Sequence, residues 1–237
     1  MPAETLIIIP AKDEQESVHL VAGAVVSRLG LPVVVVDDAS SDGTAEAARE
    51  AGATVLSLRV GLGAWGAMQA GIRYGLRRGF ERCVTMDADG QHPVACLSTV
   101  LEPVLRGEAD VSIGSCTSRG SPLRQAAWSF FRGLTALGVA DLTSGYRAYG
   151  REAMALLADE RATLLDHQDI GVLYLLRSKG LRIVETPISM ACRLHGHSRI
   201  FNTWFTVGDY MLHSSILAMS KSLRGNRRNR PPRGEAR

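Results

Sequence analysis

Residues 32–44 read PVVVVDDASSDGT. Four consecutive valines, bounded by Pro32 and two acids, predict a strand over 32–38. An apolar run without alternation suits a strand covered on both faces. Similar runs recur on either side: TLIIIP (5–10), ATVLSL (53–58), RCVTMD (82–87) and ADVSIG (109–114). The segments between them are helical in pattern. Residues 14–29 place Val18, Val21, Ala22, Val25, Val26 and Leu29 at helical spacing, 43–51 are alanine-rich, and 67–78 and 93–106 complete the series. Pro93 suits the first turn of the last of these. Strands alternating with helices predict an α/β domain with a mainly parallel sheet. After residue 115 the rhythm breaks. Residues 115–150 are rich in Ser, Gly and Arg, RIVETPISM (182–190) alternates like an exposed or antiparallel strand, and ACRLHGHSRI (191–200) is polar and basic.

Composition narrows the class. The chain has 237 residues, 46% hydrophobic and 22% charged, with a net charge of +3. That length can bury a sizeable core, and the charge gives no global field demanding nucleic acid. Cys83, Cys96, Cys116 and Cys192 lack CxxC spacing, so they predict reduced, buried thiols rather than a zinc or redox site. The start, MPAETLIIIP, has neither the basic opening nor the long apolar run of a signal peptide. No stretch reaches about eighteen apolar residues, the length that would predict a membrane span. The expected location is the cytoplasm.

In open parallel sheets ligands sit beyond the carboxyl ends of the strands. Those ends carry Lys12 and Glu14, Asp37 and Asp38, and the run from Asp87 to His92. In DDASSDGT, Ser and Asp suit a turn and helix cap. Asp38 is left for a nucleobase or ribose. DADGQHP (87–93) is the strongest signal. Asp87 and Asp89, two positions apart past a strand end, can share one divalent cation, and Gln91 adds a neutral oxygen. Hard oxygen ligands suit Mg²⁺ or Mn²⁺, with substrate phosphates completing the shell. His92 either caps the next helix or touches the site. A rival is the formal G-x-G-x-x-G of Gly61, Gly63 and Gly66, with Asp87 about twenty residues on, as in dinucleotide sites. It sits on the third strand rather than the first. Glycines letting a loop pass close to a ligand are the better reading.

Taken together and in this order, IIIPAKDE, VVVVDDASSDGT, GLGAWGAMQAGIRYG, MDADGQHP, DLTSGYRAY and RLHGHSR resemble family 2 inverting glycosyltransferases of the GT-A fold. Within that family the chain is most similar to the polyprenyl-phosphate mannose or glucose synthase branch. The resemblance implies transfer from a nucleotide-diphosphate sugar, with a GDP- or UDP-linked donor, to a polyprenyl phosphate, assisted by Mg²⁺ or Mn²⁺. It implies Pro10, Glu14, Val36, Asp38 and Ala88 at the nucleotide, and Asp87, Asp89 and Gln91 on the metal. It implies Arg193, Ser198 and Arg199 in a basic loop that closes over the donor diphosphate. Asp141, Ser144, Gly145 and Arg147 would shape the sugar and acceptor side.

The chain departs from the family in three places. Lys12 stands where an aromatic is common. Gly114-Ser115-Cys116 stands where Gly-Ser-Arg is common, and that arginine is implied to touch the acceptor phosphate. Arg119 and Arg124 are the candidates to replace it, Arg124 with a catalytic role beside Asp141 and Arg147. Gln168 and Asp169 approximate a Gln-and-acid pattern. A phosphate acceptor is already an anionic nucleophile and needs no general base. A hydroxyl acceptor would need one, with Asp141 or Asp169 as candidates.

The expected organisation is one catalytic domain over 1–203, with a nucleotide-sugar half to about 115 and an acceptor half from 116. An amphipathic helix over 204–223 and an arginine-rich disordered tail over 224–237 follow. The tail, with six arginines and one acid, would be drawn to anionic lipid if the helix lies on the cytoplasmic membrane face. A nucleotidyltransferase shares the α/β layout, but would need a glycine-rich basic loop after the first strand, and PAKDEQES has no glycine.

Overall fold

A computed structural model describes residues 4–117, 139–163 and 170–191. The valine run is strand β2 (Val33–Asp37), every residue buried. It pairs in parallel with β1 (Thr5–Ala11) on one side and β3 (Thr54–Ser57) on the other. β4 (Arg82–Thr85) pairs in parallel with the other edge of β1. The seven-stranded sheet runs β3-β2-β1-β4-β6-β5-β7, with β5 at Val111–Ser115, β6 at Arg147–Gly150 and β7 at Ile183–Pro187. Among the described strands only β6 is antiparallel to its neighbours.

The uninterrupted apolar runs have the expected cause. Leu6, Ile8, Val34 and Val36 point to one face, and Ile7, Ile9, Val33 and Val35 to the other, each into its own core. One face is covered by α3 (Gly63–Arg77), α5 (Arg151–Ala158) and α7 (Ile170–Ser178). The other is covered by α1 (Gln15–Leu29), α2 (Thr44–Glu50) and α4 (Leu97–Leu105). A short helix α6 (Glu160–Thr163) follows α5. Helix α3 seats closely on the sheet at Gly71, where a methyl group would collide with Ile8 Cγ2 and press on Val36.

Several boundaries differ from the sequence reading. Helix α3 begins a turn earlier than residue 67, at Gly63, whose φ of 75° opens it. Pro93 is extended and precedes a 3₁₀ turn (Val94–Cys96) that leads into α4, so it stands just outside the helix. β7 pairs in parallel with β5, correcting the antiparallel expectation for 182–190. Its polar alternation comes from an edge position that leaves the strand half-buried. β6 lies in the stretch read as irregular. The segments 204–223 and 224–237 lie outside the described residues, as does part of the expected acceptor half.

Candidate active site

β1, β2 and β4 point their carboxyl ends at one rim of the sheet. β6 runs the other way, so its amino end meets that same rim. Thr85 pairs with Arg147, which sets the segment before β6 beside the segment after β4. The Thr85 hydroxyl donates to the Gly145 carbonyl at 2.8 Å. A methyl group on Gly145 would stand 3.0 Å from Asp87 Oδ1. The DLTSGY and DADGQHP motifs, distant in the chain, are therefore adjacent in space.

The turn after β4 is tightly organised. The last ladder bond is donated by Met86 N–H to the Ile8 carbonyl, at 3.1 Å. Asp89 Oδ1 accepts the Gln91 N–H at 2.9 Å, and Gly90 at φ 79° lets the chain reverse. Asp89 is buried, whereas the Asp87 side chain is 38% exposed. His92 is buried and its Nδ1 accepts the Asp87 N–H at 2.9 Å. The imidazole stacks on Tyr146 with ring centroids 4.8 Å apart. The Tyr146 hydroxyl donates to the Pro93 carbonyl, and burial pushes its pKa up, so it stays protonated. His92 therefore braces the site turn and does not cap the following helix.

The segment before β6 is held by a relay of carboxylates. Glu185 on β7 accepts the N–H groups of Ala140 and Asp141 at 2.7 and 2.8 Å. Asp141 in turn accepts from the Cys116 N–H, the Thr143 N–H and the Thr143 hydroxyl, each at 3.2 Å. Ser144 donates to the Gly114 carbonyl at 2.6 Å. Arg147 is buried, and its Nη2 donates to the Leu142 carbonyl at 3.0 Å. Past β7, the Ala191 N–H donates to the Gln91 carbonyl at 3.0 Å, so the chain reaches its basic stretch directly from the acidic turn.

The ends of β1 and β2 form the third part of the rim. Buried Asp38 accepts the N–H groups of Leu62 and Gly63 at 2.6 and 2.9 Å. These are amides that a dinucleotide's pyrophosphate would need, so the glycine fingerprint serves a protein carboxylate instead. Lys12 donates to the carbonyls of Asp38 and Ala39 at 2.9 and 3.2 Å. The Glu14 N–H donates to Thr44 Oγ1, and Glu14 Oε2 accepts the Ser17 hydroxyl.

The structure sorts the expected site residues. Asp87, Ala88, Asp89 and Gln91 share the β4 turn, with Asp141, Ser144 and Arg147 in the neighbouring segment and Pro10, Glu14 and Asp38 along the same rim. Val36 is fully buried, its side chain in the core beneath α3. Ala88 is buried in the opposite core. Arg119, Arg124, Gln168, Asp169, Arg193, Ser198 and Arg199 lie outside the described residues. Glu185 and Tyr146 were not singled out by the sequence reading. An acid inside an apolar strand was the available sign for Glu185.

The donor set suits a hard cation. Among the described residues no group of three or more His, Cys, Asp or Glu side chains is placed to hold a metal. Two carboxylates and one amide oxygen are what the turn supplies. This fits Mg²⁺ or Mn²⁺, which complete their shells with water and phosphate oxygens, and does not fit structural zinc.

Comparison with known proteins identifies the family and the fold. A family model described as glycosyl transferase family 2 matches residues 6–155. Polyprenol monophosphomannose synthase of Mycolicibacterium smegmatis is 34% identical over 219 residues, covering 83% of this chain and 80% of that protein. Undecaprenyl-phosphate mannosyltransferase of Micrococcus luteus is 35% identical over 214 residues, covering 82% and 86%. Among solved structures, Mycobacterium tuberculosis glucosyl-3-phosphoglycerate synthase in complex with Mn²⁺, UDP-glucose and phosphoglyceric acid is similar in fold. Its TM-score is 0.65 over 91% of this chain and 78% of that one, at 20% identity. The fold, the rim and these matches agree: the chain belongs to glycosyl transferase family 2 and is a nucleotide-sugar glycosyltransferase of the GT-A fold.

Proposed function

We propose that this glycosyltransferase moves a hexose, with mannose the first candidate, from a nucleoside-diphosphate sugar to a polyprenyl phosphate, with inversion at the anomeric carbon. The observation carrying the acceptor is the identity of 34–35%, over four-fifths of the chain, to two relatives named for polyprenyl-phosphate mannose synthesis. In this reading Pro10 and Glu14 face the nucleotide, while Asp38, Val36 and Ala88 shape the rim from within: the Asp38 carboxylate holds the Leu62 and Gly63 amides, and Val36 and Ala88 pack into the two cores. Asp87, Asp89 and Gln91 hold Mg²⁺ or Mn²⁺, which supplies positive charge to the departing diphosphate. Arg193, Ser198 and Arg199 add donors to the same phosphates, and Arg119 and Arg124 hold the acceptor phosphate.

The phosphate oxygen attacks the anomeric carbon as the bond to the nucleoside diphosphate breaks, and no proton needs to be removed. The Asp141 carboxylate fits that economy. Both its oxygens accept hydrogen bonds from Cys116 and Thr143, so it shapes the acceptor segment, with Ser144 and Arg147, and takes no proton. Contact with the membrane comes through residues 204–237, and the full chain should bind anionic vesicles.

The test is transfer of labelled sugar to polyprenyl phosphate by the full chain, with GDP- and UDP-linked donors, with and without Mn²⁺. Transfer should be abolished by chelation and restored by metal. Asp89→Ala should lower it by about 100-fold with an unchanged circular dichroism spectrum. Full activity of Asp89→Ala, or label reaching only hydroxyl acceptors, would overturn the reading.

A further inference from the structure

We infer that His92 is a positioning residue for the metal-binding carboxylate Asp87, acting through the Asp87 backbone amide; this rests on the metal reading above. The need for it starts at the end of β4. Met86 makes the last ladder bond, to the Ile8 carbonyl, so the Asp87 N–H leaves the strand with no strand partner. A backbone donor at this depth must be satisfied. The turn closed by Asp89 and Gly90 brings His92 back across, and its Nδ1 accepts that N–H at 2.9 Å.

This bond fixes the tautomer: Nδ1 is the acceptor, so Nε2 carries the hydrogen. Nε2 lies 3.7 Å from Asp87 Oδ2, too far for a hydrogen bond but near enough for a favourable dipole. The ring cannot turn away. It is 2% exposed and stacked on Tyr146, which is anchored to the Pro93 carbonyl. Tyr146 itself follows Gly145, where an added methyl group would stand 3.0 Å from Asp87 Oδ1. One imidazole therefore ties the acidic turn to the acceptor segment and sets the direction in which Asp87 leaves the sheet.

Conservative variants separate this role from mere packing. An asparagine places its oxygen near the position of Nδ1, whereas a glutamine places its polar end near Nε2. His92→Asn should therefore keep the Asp87 bond, and His92→Gln and His92→Ala should lose it. Mn²⁺ affinity in the presence of UDP or GDP should weaken by about tenfold or more in the Gln and Ala variants and by less than about threefold in Asn. In the metal-free protein, ¹⁵N spectra should show the Nε2–H tautomer. Hydrogen exchange at the Asp87 amide should be slow in the parent and in Asn, and fast in Gln and Ala. Equal Mn²⁺ affinity in the parent and a folded Ala variant, equal losses in Asn and Gln, or a protonated Nδ1 would overturn the inference. If the parent binds no Mn²⁺, the metal reading fails, and protection of the Asp87 amide alone decides whether His92 braces it.

Discussion

Gly145 shows how little room the rim leaves around Asp87. A methyl group there would stand 3.0 Å from Oδ1, closer than the carboxylate accepts without turning. Gly145→Ala should therefore disturb the ligand geometry while leaving the core intact. Metal-dependent donor binding should weaken roughly tenfold, measured by calorimetry, with thermal stability nearly unchanged. The residues of this site differ in how far the sequence discloses them. That Asp87, Asp89 and Gln91 share one turn at the rim is legible because they follow directly on an apolar strand. His92 stays ambiguous in the sequence because its role depends on Tyr146, which only the tertiary fold brings to stacking distance. Asp141 is legible as a site-segment residue, but its satisfied carboxylate is not, because the donors come from Cys116 and Thr143 and the turn is set by Glu185.

Among the elements, α3 and β6 are instructive opposites. Helix α3 carries alanines and glycines that look like mere helix spacing. Gly71, however, is where the helix backbone rests on Ile8 and Val36. Alanine is the better helix former by about 1 kcal/mol, but the clash costs about 1–3 kcal/mol. Gly71→Ala should therefore lower stability, by about 1 kcal/mol in urea denaturation, and not raise it. The parallel strands β1, β2, β4 and β5 are legible because both their faces are buried, which forces continuous apolar runs. β6 is not, because RAYG is four residues long and buries an arginine. A buried arginine whose Nη2 donates to the Leu142 carbonyl gives the segment the composition of a loop. β7 is legible as a strand, but not its direction, which depends on the crossover through α5–α7.

At the scale of the molecule, the far edge of the sheet is pinned by an ion pair. Arg182 and Asp110 bond through both guanidinium and backbone, at 2.7–3.2 Å, just before β7 and β5 begin. The side-chain hydrogen bond from Arg182 holds the Asp110 carboxyl below the usual carboxylate range, with burial opposing it and the Arg182 backbone amide and charge adding to it. A pKa lowered by folding adds stability above the unfolded value, near ~4, and that stability is lost as pH falls through the folded value. Asp110→Asn should therefore be less stable than the parent at neutral pH, with the gap closing as pH drops below about 4. Thermal melts between neutral and acid pH check this. The pair is partly exposed, so solvent screens it and the neutral-pH gap should be small.

The seat of Asp38 on the first amides of α3 bears on the whole charge balance of the rim. Many α/β folds leave the positive end of such a helix open and draw phosphate to it. Here the helix dipole is already neutralised from within by a carboxylate of the ligand's own sign. A diphosphate at this rim must find its countercharge elsewhere. In the proposed reading that countercharge is a cation at the acidic turn of β4, to which Ala191 bonds after β7.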